Sequence, residues 1–179
     1  MQKKKIVLAY SGGLDTTYCA VYLSKVKGYE VHAVTINTGA FDEKEIEGLE
    51  QKALSCGALS YTCIDVRKEY YDGCIKYLIF GNVLKNGTYP LSVSAERAVQ
   101  AKSIAEYAIQ SGISAIAHGS TGAGNDQVRF DMIFNHLLPN VEIITPIRDQ
   151  KLSREAEIEF LKEHGVNFNF EKAAYSINK

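Results

Sequence analysis

A chain of 179 residues, 46% hydrophobic and 23% charged, is long enough for one domain that buries roughly 70% of its unfolded surface. That balance excludes disordered and fibrous classes, and a net charge of −1 with a pI near 6.4 leaves no basic footprint for a long nucleic acid. No apolar run approaches the ~18 residues of a membrane span, and the run after MQKKK is too short for a signal peptide, so the chain is read as cytoplasmic, with neither nucleic-acid nor membrane partners.

In chain order, unalternated apolar runs stand at Ile6 to Tyr10, Val31 to Ile36, Tyr61 to Val66, Ile113 to Ala117 and Val141 to Ile144. Short runs without alternation predict parallel strands buried on both faces. Between them lie helical patterns over Thr16 to Val26, Glu43 to Ser55, Lys68 to Phe80, Ala95 to Gln110 and Ser153 to Glu163, the clearest placing Ala101, Ile104, Ala105 and Ala108 on one face. Gly28, Gly57, Gly112 and Gly165 follow the helical stretches, and Ser153 stands where an N-cap belongs. Gly81 to Val93, with Asn-Gly and Pro but no periodicity, reads as a long loop.

Alternating strands and helices predict an α/β fold, a doubly wound parallel sheet with helices on both faces and Rossmann-like connections. Such sheets bind ligands beyond the carboxyl ends of their strands, so the loops after strands are where function is sought.

Two loops carry the chemistry. Ser11-Gly12-Gly13-Leu14-Asp15-Thr16 joins the first strand to the first helix; glycines let backbone approach a ligand, and helix-start N–H groups suit an anion. It lacks both the Gly-Lys-Ser/Thr ending of a P-loop and the G-x-G-x-x-G of a dinucleotide site. The bland alternative is a tight turn with Asp15 or Thr16 as N-cap. The second loop, His118-Gly-Ser-Thr-Gly-Ala-Gly-Asn-Asp-Gln-Val-Arg-Phe130, again follows a strand and precedes a helical segment. Its backbone N–H groups and Thr121 suit a carboxylate, Asp126 an ammonium, and Arg129 a second carboxylate held bidentately, which together suit a zwitterionic amino acid. Here the bland alternative is a glycine-rich connection with a structural arginine.

The four cysteines, Cys19, Cys56, Cys63 and Cys74, have no zinc or disulfide spacing and read as core residues. His32, His118, His136 and His164 read as structural or solvated, and Tyr89 is equally placed to be core.

The first loop resembles the pyrophosphate loop of the N-type ATP pyrophosphatases. AYSGGLDT and HGSTGAGNDQVRF together, in order and spacing, resemble argininosuccinate synthase, and TYPLS, ITPIRD and KLSREAEIEFLKEHG resemble further segments of that family over essentially the whole chain. The resemblance implies ligation of citrulline to aspartate in arginine biosynthesis: the ureido oxygen attacks the α-phosphate of ATP, citrullyl-AMP and pyrophosphate form, and the aspartate amine displaces AMP. It implies ATP and Mg²⁺ as cofactors. It implies ATP contacts from Ala9, Tyr10, Ser11, Gly12, Gly13, Leu14, Asp15, Thr16, Thr17, Ile36 and Gly119, with Asp15 holding Mg²⁺ through water, and no further metal ligand is assigned. It implies citrulline contacts from Tyr89, Ser94, Asn125, Arg129 and Ser176, and aspartate contacts from Thr121, Asn125 and Asp126, with Asp15 and Asp126 the residues closest to the chemistry.

The sequence departs from the family in three places. Ala123 stands for the lysine of T-G-K-G-N-D-Q, and Val93 where a threonine is common. The end, Tyr175 to Lys179, resembles the start of a segment that continues through L-W-G, so the family's second, synthetase and oligomerisation domain is expected to be absent here; the full-length family is expected to form homo-oligomers. Two rival readings are another pyrophosphatase-type enzyme and a nucleotide-binding module without catalysis.

Overall fold

The computed structural model describes residues 3–166. Five strands, β1 (Lys5–Ala9), β2 (Glu30–Asn37), β3 (Ser60–Asp65), β6 (Ala115–Ala117) and β7 (Glu142–Ile144), form one sheet in the order β3-β2-β1-β6-β7, all parallel. Alternate residues of the central strands feed opposite layers. Ile6, Leu8, Val31 and Ala33 pack with α1 (Leu14–Val21), α2 (Glu43–Ser55) and α8 (Arg154–Glu163), while Val7, Val34 and Ile36 pack with α5 (Ser92–Ser111) and α6 (Asp126–Leu137). The doubly wound α/β expectation therefore holds, and Ala101, Ile104, Ala105 and Ala108 are the buried face of α5.

The chain leaves β3 at one end of the sheet, crosses through α3 (Arg67–Tyr70), α4 (Lys76–Phe80) and α5, and re-enters as β6 on the other side of β1. The strand order thus reverses between β1 and β6, whose pairing (Val7 with Ile116, Leu8 with Ala117) sets their carboxyl ends side by side. That crevice is the place where open α/β sheets bind ligands.

Local details follow the punctuation. Asp42 and Glu45 close a capping box at the start of α2, Ser153 Oγ accepts from the Ala156 N–H, and Gly112 ends α5 at φ +64°. Two readings are corrected and one short helix is added. The stretch Gly81 to Val93 is not a structureless loop: β4 (Leu84–Lys85) and β5 (Tyr89–Pro90) pair antiparallel around Asn86 and Gly87, both at positive φ, as an Asn-Gly hairpin requires, and α5 already begins at Ser92. The first helix winds into a π-helical turn over Tyr22–Val26, and a second π turn, Tyr71–Ile75, joins α3 to α4. A short helix α7 (Pro146–Gln150), with Pro at its start, follows β7. Cys19 and Cys56 are buried core residues as expected, and Cys63 and Cys74 are half-buried.

Candidate functional site

The loop after β1 turns its large side chains inward and leaves its backbone and small hydroxyl side chains outward. Tyr10 is 3% exposed; its N–H donates to Val34 O, its carbonyl accepts from Thr35 Oγ1 at 2.7 Å, and its ring packs edge-on against Tyr61, so burial pushes its phenol well above the usual range. Leu14 is buried, and Thr17 Oγ1 donates to Gly13 O at 2.7 Å. Of the predicted nucleotide residues, Tyr10, Leu14, Thr17 and Ile36 therefore have core side chains, while Ser11 and Gly13 are exposed and Ala9, Gly12, Asp15 and Thr16 half-buried.

Gly13 is the N-cap of α1 and supplies no side-chain cap, so the alternative of Asp15 or Thr16 as N-cap is set aside. The first N–H groups of the helix have no intrahelical acceptor and point their positive ends into the crevice. Ser11 and Thr16 line it with hydroxyls 3.3 Å apart, and Thr16 Oγ1 also lies 3.4 Å from the Ser11 N–H. Gly12 has φ +73°, and a Cβ there would meet Leu49 Cδ2 at 2.2 Å; a Cβ on Gly13 would meet only Ser11 Oγ, at 3.5 Å.

Asp15 points toward α8, where Glu157 is 2% exposed and its Oε2 has no hydrogen-bond partner. Burial, then the charge of Asp15 and a hydrogen bond with it, drive the Glu157 carboxyl far above its ordinary range.

The loop after β6 touches the first directly. A Cβ on Gly119 would lie 3.1 Å from Asp15 C and Cβ and 3.2 Å from Thr16 N, so any side chain there would push the two loops apart by a few tenths of an ångström. Beneath the loop, His118 is 1% exposed; its Nε2 lies 2.9 Å from Asp131 Oδ1 and its Nδ1 accepts the Ser120 N–H at 3.3 Å. The acceptor role of Nδ1 places the proton on Nε2. Burial depresses the His118 pKa, opposed by Asp131, so the ring is neutral. Arg148 of α7 donates to the other oxygen of Asp131 at 2.6 Å, to Gln127 Oε1 at 3.2 Å and to Thr145 Oγ1 at 3.1 Å, and Gln127 Nε2 donates to Gly122 O at 2.7 Å. Burial would raise the Asp131 pKa, but the hydrogen bonds from Arg148 and His118 outweigh it and hold it below the usual carboxylate range.

At the start of α6, Asp126 is gripped from both sides: Arg129 Nη1 reaches Oδ1 at 2.7 Å and Arg97 Nε reaches Oδ2 at 3.2 Å. Arg129 Nη2 also donates to Ser94 Oγ at 3.0 Å. The buried Phe130 and Phe134 fasten α6 against α5, each worth about 1.5–3 kcal/mol of burial, which fixes where these charges stand. The structure thus brings Ser94, Asp126 and Arg129 together; Thr121 and Asn125 are exposed on the loop, as is Ala123 between its two glycines. Tyr89 is 50% exposed on the hairpin, which removes the core reading. Ser176 lies outside the described residues. Sequence reasoning missed Arg97, Gln127, Asp131 and Arg148, and also Lys52 of α2, which donates to Gly12 O. Each acts on a loop that its own spacing does not reveal.

A parallel sheet of order 3-2-1-6-7, with two glycine loops meeting at the β1/β6 reversal, defines a doubly wound α/β domain. Residues 5–167 match the arginosuccinate synthase N-terminal HUP domain, and the chain belongs to the argininosuccinate synthase family. It is 42% identical over 98% of its length to the argininosuccinate synthase of Sulfurisphaera tokodaii and 41% identical over 99% to that of Pyrobaculum aerophilum, in each case covering 44% of the relative. With the argininosuccinate synthase of Chlorobium phaeobacteroides it shares 40% identity over its whole length, covering 45%. The chain therefore spans less than half the length of these relatives. Among solved structures, a protein described as a predicted subunit of tRNA methyltransferase from Methanocaldococcus jannaschii superimposes with a TM-score of 0.55 at 19% identity, covering 92% of this chain and 90% of that one, which shows a shared fold. No helix among the described residues is long and apolar enough to cross a membrane.

Proposed function

We propose that this chain is the ATP-binding part of an argininosuccinate synthase, holding the nucleotide's phosphates at Ser11 to Thr16 and its zwitterionic substrates at the loop after β6. The observation that carries the reading is the contact of the two loops through Gly119, which puts an anion-ready helix start and the Asp126–Arg129 pair around one crevice. ATP binds through backbone N–H groups and the Ser11 and Thr16 hydroxyls, with Ala9 supplying apolar wall and Ile36 supporting it from the core. Asp15 is the one side chain at the loop suited to a Mg²⁺ ion. No cluster of three or more candidate ligand side chains occurs among the described residues, and an ion that takes one protein carboxylate, waters and the nucleotide's own phosphates requires none. When bound, Mg²⁺ neutralises phosphate charge.

In this reading Ser94 and Arg129 bind citrulline, joined by Tyr89 and Asn125, while Thr121, Asn125 and Asp126 bind aspartate. The protein's work is positioning and charge neutralisation; the ureido oxygen is the nucleophile and no side chain need form a covalent bond. Titrating ATP into the purified chain tests the nucleotide assignment: binding in the micromolar to millimolar range is expected, and absence of binding overturns it. Ligation is tested by AMP and pyrophosphate formation. Release that depends on citrulline supports it, and release indifferent to citrulline counts against it.

A further inference from the structure

Lys52 stands forty residues from the phosphate loop in sequence, yet its ammonium crosses from α2 to donate to the Gly12 carbonyl. Leu49, one turn earlier on the same helix, closes the space where a Gly12 side chain would go. One face of α2 therefore fixes the Gly12–Gly13 peptide twice, by packing and by a charge-assisted hydrogen bond. A trans peptide is planar, with its C=O and N–H pointing opposite ways. Anchoring the Gly12 carbonyl toward α2 turns the Gly13 N–H away from it, into the mouth of the loop. There that N–H has only Ser11 Oγ, at a long 3.4 Å, which a phosphate oxygen readily displaces.

We propose that Lys52 is a positioning residue for phosphate binding: it aims the Gly13 N–H at the anion and sets a positive charge behind the loop. This rests on the reading of Ser11 to Thr16 as the nucleotide loop. Burial holds the Lys52 pKa down at about 8. Cys56, one turn along at the end of α2, is a titratable group that acts on it, and burial pushes the Cys56 thiol up, so it stays neutral near pH 8. An anion in the loop favours the ammonium form, so phosphate binding at pH 8 draws in part of a proton.

Calorimetric titration with ATP, inorganic pyrophosphate and adenosine, in two buffers of different ionisation enthalpy at pH 8, tests the proposal on wild type, Lys52→Met and Lys52→Arg. Lys52→Met is expected to weaken ATP and pyrophosphate about tenfold or more, the scale of one charge-assisted hydrogen bond, and to leave adenosine unchanged. Lys52→Arg, always charged, is expected to keep ATP affinity within about threefold and to lose the proton uptake seen in wild type. Equal ATP affinity in wild type and Lys52→Met overturns the role of Lys52 and leaves the nucleotide assignment standing, whereas a wild type that binds neither ATP nor pyrophosphate overturns both. An equal loss for adenosine also overturns the proposal, since it marks general damage. Should Lys52→Met fail to fold, unchanged proton uptake in Lys52→Arg is the overturning result.

Discussion

Arg129 and Asp126, three residues apart on the first turn of α6, are already paired with each other at 2.7 Å, and Arg97 takes the second oxygen of the same carboxylate. The two charges proposed to receive a zwitterion are thus already engaged with each other, so binding there would be an exchange of partners. Asp126→Asn leaves two guanidinium groups without their common anion. With Arg97 only 11% exposed and Asp126 34%, a loss of about 1 to 2 kcal/mol is expected, below the 3–5 of a fully buried pair. Chemical denaturation measures it; an unchanged midpoint would show that Arg97 finds another partner.

Gly12 and Gly13 should respond oppositely to a side chain. Gly12→Ala meets Leu49 and keeps an L-residue at φ +73°, so about 2 kcal/mol or more of stability is expected to go. The Cβ of Gly13→Val meets only Ser11 Oγ, at 3.5 Å, so the protein should melt near the wild-type temperature while losing ATP affinity at least tenfold. Thermal melts and calorimetry on the pair separate folding from binding, and wild-type affinity in Gly13→Val would remove the loop from the nucleotide site.

Arg148 makes its hydrogen bonds to the second loop through intermediaries, Asp131 and Gln127, while its Cγ lies against Gly122. Arg148→Met leaves Asp131 Oδ2 and Gln127 Oε1 without their donor, a cost of about 1 to 3 kcal/mol. Amide exchange should quicken across Ser120 to Gly124 and stay unchanged at Leu14 to Thr17. Uniform acceleration would instead signal global destabilisation.

The neutral His118 gives stability a pH dependence of known sign. Its folded pKa lies below the unfolded 6.5, so the unfolded chain binds more protons on acidification; its contribution is full above pH 6.5 and is lost as pH falls toward the folded value. His118→Gln can still donate to Asp131 but cannot titrate. The stability gap between wild type and this variant, about 1 to 2 kcal/mol at pH 7.5, is expected to narrow by pH 5.5, and a gap that widens would show the imidazole to be charged in the fold.

Much of this was legible beforehand, for local reasons. Buried parallel strands betray themselves as apolar runs, and the bounds Glu43 and Ser55 of α2 are legible because its helical period runs up to Gly57. The glycine loops were found because they sit at strand ends. What escaped was short or distant. The five-residue α7 has too few turns for a period, and the π turn at Tyr22–Val26 leaves no mark that differs from ordinary helix. Lys52, Arg97, Asp131 and Arg148 act across separations of 17 to 40 residues, where only the folded topology makes neighbours. Asn86-Gly87, in contrast, was a hairpin signal in plain view between stretches too short to read as strands.

The missing Cβ of Gly119 sets a mechanical limit. Where two loops meet through long side chains, rotamers take up slack and the loops drift independently; here a glycine without a side chain faces the Asp15–Thr16 backbone so closely that a Cβ on it would lie 3.2 Å from Thr16 N. Whatever the first loop grips and whatever the second loop presents are therefore gauged against each other like the jaws of a fixed calliper. Even a single methyl group inserted at residue 119 would reset the gap for both at once.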